Sequence, residues 1–177
     1  MLNTVQKFQE FFIRYFYHPF QLRKPVNFRD TIQNVQHILV YCPEEAMIKS
    51  INQNLKKLFR NARIHYILPF EKSNNIHRIT KAEHIHYLYK DSIYKSQRSE
   101  HYANLLRQPV DLFIDLDIEP NILNIFLCRL LQPAVCLSYH KPLSRHYYNF
   151  EYRSRSYSPA PERFQCLYTI LSSWTAG

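Results

Sequence analysis

A chain of 177 residues, 46% hydrophobic and 21% charged, is long enough to close a core without disulfide staples and too apolar to stay disordered. Its net charge of +9 favours anionic surroundings: nucleic acid, an acidic membrane face or an acidic protein. The single glycine, Gly177, lies in none of the inner turns, which excludes the dinucleotide fingerprint and the P-loop, although a helix N-terminus can still meet an anion.

Residues 2–17 read as an amphipathic helix. Leu2, Val5, Phe8, Phe12, Tyr15 and Phe16 recur at three- and four-residue spacing, and Pro19 ends the pattern. Such a helix packs on its own domain, on a partner, or on a lipid surface. No apolar run reaches the roughly 20 residues that cross a bilayer. Lys7, Glu10 and Arg14 interrupt the apolar residues of this first stretch, so no export signal and no transmembrane segment are expected.

Residues 36–42, QHILVYC, have the continuous β-branched and aromatic character of a strand covered on both faces. Pro43-Glu44-Glu45 opens a helix reaching to about residue 60, with Met47, Ile48, Ile51, Leu55, Leu58 and Phe59 as its apolar stripe. Glu44 and Glu45 stand at its positive end and Lys56, Lys57 and Arg60 at its negative end, so the helix dipole alone accounts for these charges. Residues 62–69 form a second strand, and the three elements make a parallel βαβ unit. A polar turn at 71–75, a short strand at 76–79, and an irregular stretch at 83–94 follow. Ser96 or Ser99 is expected to cap a helix running to residue 107.

Residues 110–116 are the third strand. Leu123, Phe126, Leu127, Leu130 and Leu131 then set a helical period, and residues 133–139 give a fourth strand, completing a second βαβ unit. The aromatic and basic stretch 147–155 is an edge strand or an ordered tail. After a turn at Ser158-Pro159-Ala160-Pro161, the spacing of Phe164, Leu167, Tyr168, Leu171 and Trp174 predicts a last helix docked on the sheet. The fold class is therefore α/β: a mainly parallel Rossmann-like sheet with helices on both faces. Its expected division is a helix and linker at 1–34, the α/β domain at 35–146, and an aromatic and basic extension at 147–177.

Cys42, Cys128, Cys136 and Cys166 are widely spaced and form no Cys-x-x-Cys pair. They read as reduced thiols of a cytoplasmic protein, and neither a structural zinc nor any cofactor is expected.

Three stretches, HILVYCPEEAMIKSINQNLKKLF, ARIHYIL and VDLFIDLDIEPNILNIFLCRLLQPAVCLSYH, resemble the N-terminal half of the glycosyltransferase B fold. The likeness is to the heptosyltransferase-like family and to small uncharacterised bacterial proteins that keep only this half, and it covers about residues 35–141. In that family the first strand leads into a loop with a glycine and then an acidic residue that acts as catalytic base. Here Pro43-Glu44-Glu45 stands in its place without the glycine, and Glu44 is the residue matching the base. No counterpart of the family's second domain, which carries most of the nucleotide-sugar site, is recognised after His140. The resemblance thus implies half a site.

Among residues with chemistry to offer, Asp111, Asp115 and Asp117 alternate along the third strand and share one face. Asp115 and Asp117 lie near its carboxyl end, where open α/β sheets place ligands, and are candidate ligand-binding residues; capping and solvated strand ends are the competing explanation. His84 and His86 would share a face of an extended segment, a metal-ligand geometry that His77 or His101 could extend, against ordinary hydrogen-bonding histidines. Lys141 and Arg145, in HKPLSRH after the fourth strand, form with Arg153 and Arg155 a candidate anion-binding set, and His140 joins Asp115 and Asp117 as a candidate ligand contact. Ser138 with His140 lacks a nucleophile elbow, and Cys42 with Glu44 is no thiol-catalysis signature.

The expected function is a noncatalytic α/β module, degenerate with respect to a glycosyltransferase, that binds a protein partner or a second copy of itself. The alternatives are sugar transfer from a nucleotide sugar with a partner chain, and nonspecific nucleic-acid binding, with weak contact to an acidic membrane as a further surface property.

Overall fold

In the computed structural model, six short segments hydrogen-bond side by side into one sheet. Residues 7, 11, 26–70, 84–89, 93–98, 100–141, 147–153 and 159–175 are described. The strands are β1 (His37–Tyr41), β2 (Arg63–Pro69), β3 (Ile85–Leu88), β4 (Leu112–Asp115), β5 (Val135–Tyr139) and β6 (Phe150–Tyr152). Their spatial order is β3-β2-β1-β4-β5-β6, and every neighbouring pair is parallel. That is the order of a doubly wound sheet, in which the winding reverses between β1 and β4.

Helices cover both faces. On one lie α1 (Phe28–Gln33), α2 (Ile48–Leu58) and α6 (Ala160–Thr175); on the other lie α3 (Ile93–Gln97), α4 (Glu100–Leu106) and α5 (Ile122–Leu131). Strand alternation feeds two separate cores: Ile38 and Val40 of β1 join Ile51, Leu55, Phe164, Leu167 and Leu171, whereas Leu39 and Tyr41 join Tyr102, Leu105 and Leu127. Burial on both faces is why β1, β4 and β5 lack polar alternation.

Local chemistry fixes the helix ends. The Asn27 side chain accepts from the Asp30 amide at 3.4 Å and donates to its carboxylate at 2.6 Å, starting α1. After β1 a 3₁₀ turn at Glu45–Met47 precedes α2, so the regular helix starts at Ile48, later than Pro43-Glu44-Glu45 suggests. Lys56, in its last turn, reaches the Ala62 carbonyl at 2.7 Å and ties the helix end to the start of β2. Helix α5 ends at Gln132 with φ 47°, a left-handed cap that a chain almost devoid of glycine supplies from another residue.

The irregular stretch at 83–94 contains β3, concealed in the sequence by its histidines and tyrosine. Ser96 lies inside α3 rather than ahead of a helix, its buried hydroxyl donating to the Tyr89 carbonyl at 3.1 Å and accepting from the Tyr89 amide at 2.9 Å, and Ser99 lies outside the described residues. The 147–155 stretch contributes β6 as a parallel edge. There Phe150 packs against Trp174 of α6, ring centroids 4.8 Å apart, and both meet Phe28 of α1 at 5.7 Å. The helix expected at 2–17 and the strand expected at 76–79 lie outside the described residues, apart from the isolated positions 7 and 11.

Helix α5 is buried nearly all round, with Ile122 through Cys128 withdrawn from solvent. In its middle sits Asn124, fully buried, and neither atom of its amide has a hydrogen-bond partner among the described residues. A buried amide without partners costs about 1–3 kcal/mol. Asn124→Leu, close in volume, is therefore expected to stabilise the fold by about 1–2 kcal/mol, read as a higher urea midpoint at unchanged slope.

Candidate functional site

The parallel register aligns Tyr41, Asp115 and Ser138 in one row across β1, β4 and β5. The preceding row on the same face is Leu39, Phe113 and Cys136, so an apolar core ends in a polar row at the carboxyl edge, beside the reversal of winding. This is the position at which open α/β sheets build their sites.

Asp115, 0% exposed, is the centre of that row. Its Oδ2 accepts from the Lys141 ammonium at 2.6 Å and from the Tyr148 hydroxyl at 2.5 Å, and its Oδ1 accepts from the Asp117 amide at 2.9 Å. Lys141, itself 5% exposed, gives a second hydrogen bond to the Asp117 carbonyl at 2.9 Å and stands 5.6 Å from the centre of the Tyr148 ring. Burial, and then the Asp115 charge, push the Tyr148 phenol well above its usual range, so it remains a proton donor. Tyr41 is raised too, by burial and then by Asp117 and Asp115. The Asn121 amide opposes that rise without reaching hydrogen-bonding geometry, and the Tyr41 hydroxyl has no partner among the described residues.

Asp117 continues the network into α5. Its Oδ1 accepts from the Glu119 amide at 3.1 Å, and its Oδ2 faces the Asn121 amide nitrogen at 3.5 Å. The Asn121 oxygen in turn caps α5 through the Leu123 amide at 3.0 Å. Asp111 has a different task at the amino edge: its Oδ2 accepts from the Gln36 and His37 amides at 2.9 and 2.8 Å, clasping the start of β1.

The structure thus joins Asp115, Asp117 and Lys141 and withdraws all three from solvent. A general base must reach a substrate proton, and these carboxylates are turned to Lys141, Tyr148 and backbone amides instead. Glu44 remains exposed just beyond β1, with no side-chain capping bond. Next to it the Cys42 thiol donates to the Glu44 carbonyl at 3.0 Å, and burial pushes that thiol up to about 12, so it is no nucleophile at neutral pH. On the β5–β6 side, exposed His140 meets the Glu151 carboxylate at 2.8 Å and the Arg153 guanidinium at 3.4 Å. Arg145, Arg155 and His77 lie outside the described residues.

The histidines gather at the far side of the sheet. His65 Nδ1 of β2 lies 3.1 Å from His86 Nε2 of β3, with His84 and His101 around them. Among the described residues no group of three or more His, Cys, Asp or Glu could hold a metal ion. A depression of about 290 Å³ lies at the amino edge, lined by Ile32, Val35, Phe59, Arg60, Asn61 and Thr175, away from the polar row.

Sequence reasoning located Asp115, Asp117 and Lys141 but not their bonds to one another, and it missed Tyr148, Tyr41 and His65. One signal was present: two parallel strands whose ends align bring Asp115 opposite Ser138, three residues before Lys141. Compared with known proteins, the chain matches no family model, no curated protein and no solved structure. Among the described residues no helix is long and apolar enough to cross a membrane.

Proposed function

We propose that this chain is a noncatalytic Rossmann-like module, resembling a degenerate half of a glycosyltransferase B fold, that works by binding a protein partner or a second copy of itself. One observation carries the reading: the carboxylate, phenol and ammonium nearest the reversal of winding, Asp115, Tyr148 and Lys141, are bonded to one another inside the fold. Groups committed in this way hold a scaffold together. What the scaffold offers outward is positive, with Lys49, Lys57, Arg60, Arg63 and Arg153 all exposed, which suits an acidic partner surface.

Sugar transfer with a partner chain is the second reading, favoured by the exposure of Glu44 beside β1 at the sheet's ligand edge. The two separate in one set of measurements on the full chain. Light scattering across a wide concentration range is expected to show association, alone or with a protein recovered from the native cell. Calorimetric titration with nucleotide sugars is expected to give no binding heat. A strict monomer that captures no partner removes the first reading, and saturable nucleotide-sugar binding weakened by Glu44→Gln establishes the second. A steep loss of nucleic-acid affinity with added salt would instead support the nonspecific nucleic-acid alternative.

A further inference from the structure

Two buried histidines bridge the last two strands on one side of the sheet. His65 and His86 are 6% and 4% exposed, with rings 5.4 Å apart and tilted by 20°. Their contact at 3.1 Å runs from His65 Nδ1 to His86 Nε2 and needs one nitrogen to donate and the other to accept. Neutral imidazoles carry one N–H each, so the pair is satisfied only while at least one ring stays neutral. The outer nitrogens, His65 Nε2 and His86 Nδ1, are buried without a hydrogen-bond partner among the described residues.

Among the described residues, no carboxylate faces either ring as a counter-ion for a proton taken up here. His84 and His37 face His65, together with Arg63; His84 and His101 face His86. Rings of His84 and His101 stand 4.9 Å and 6.4 Å from their nearest buried partners. From α4, Glu100 is exposed and Tyr102 is buried and apolar in its packing; from α3, Lys95 is turned to the Tyr89 ring at 5.8 Å. Glu45 acts on Tyr87, which packs into the opposite core. A proton on either buried ring therefore meets a cation or other imidazoles, and on His86 the His101 backbone opposes this only in part. Burial and these neighbours lower both histidines to about 4.

Strand β3 is the sheet edge, four residues long, and is held by β2 and by α4. We propose that the His65–His86 pair is an acid-sensitive latch: once both rings carry a second proton no nitrogen is left to accept, the imidazole contact breaks, and β3 with α4 is freed from the sheet, exposing the backbone of β2 as a new edge. Such an edge offers unpaired N–H and C=O groups to an added strand. The inference does not depend on the proposed function, because the release is a property of the isolated chain.

Hydrogen exchange read by mass spectrometry on the full chain tests it. After correction for intrinsic rates, segments covering β3 and α4 are expected to lose about tenfold or more of their protection between pH 7 and pH 5, while β4, β5 and α5 keep theirs. His65→Leu with His86→Leu is expected to remove that pH dependence, and His101→Asn, at an exposed ring, to leave most of it. Imidazole nitrogen spectra of the unaltered protein supply a reading that needs no variant: two resonances that stay neutral down to about pH 5 support the latch. Uniform protection across the sheet at both pH values overturns it, as does ordinary titration of both rings near 6.5.

Discussion

Lys141→Met is expected to lower the unfolding free energy by about 3–5 kcal/mol, the largest effect of any single substitution considered for this fold. The side chain is 2% exposed, and the Asp115 carboxylate that it meets at 2.6 Å is 0% exposed. Removing the ammonium leaves a negative charge inside the protein that, among the described residues, keeps the Tyr148 hydroxyl and the Asp117 amide as its hydrogen-bond donors. Two charges already withdrawn from water have paid their desolvation in the wild type, so the intact pair adds much less than the broken pair takes away. The combination Lys141→Met with Asp115→Asn removes both charges at once and is expected to recover most of the loss. Urea unfolding of the wild type, both single variants and the double variant measures the coupling directly. A Lys141→Met loss below about 1 kcal/mol would mean that the two side chains do not meet as described.

The second large effect is a loss of stability on mild acidification, before carboxylates become protonated in bulk. His65 and His86 have folded values of about 4 against an ordinary value of 6.5. A histidine lowered on folding binds its proton preferentially in the unfolded chain. Its contribution is therefore complete above about pH 6.5, shrinks as pH falls, and is gone near pH 4. Each ring would account for about 2 kcal/mol between pH 7 and pH 5, and because the two are coupled and partly screened, about 2 kcal/mol is expected for the pair. Denaturant midpoints measured at half-unit pH steps should fall through this window. In the His65→Leu, His86→Leu protein the same interval should be nearly flat. An unaltered slope in that variant would assign the acid sensitivity to other groups.

Much of this architecture was legible because burial on both faces writes an unmistakable pattern. HILVY, LFI and VCL contain no stretch of strict polar alternation, and the intervening helices show their apolar stripes at regular spacing. Strand β3 was hidden for a physical reason. Ile85-His86-Tyr87-Leu88 alternates between a core that takes Tyr87 and a layer that takes His86, and histidine carries no hydropathy signal for burial. Asp115 and Lys141 were both visible as residues, but the meaning of each lies in the other, 26 positions away. A carboxylate at a strand end and a lysine in a following loop read separately as ligand groups. Only the register of β4 on β5 turns them toward one another. Tyr148 could not be distinguished from thirteen other tyrosines without that register.

The contact of Phe28 with Trp174 has a consequence for anything joined to this fold. Phe28 stands at the start of α1 and Trp174 in the last turn of α6, and their rings lie 5.7 Å apart. Tethers attached ahead of α1 or behind α6 thus depart from a common corner, and a cargo carried on either would hang from the same anchorage. A rearranged gene that stitched these neighbouring ends together and opened the chain elsewhere would need only a short splice to preserve every strand in its place.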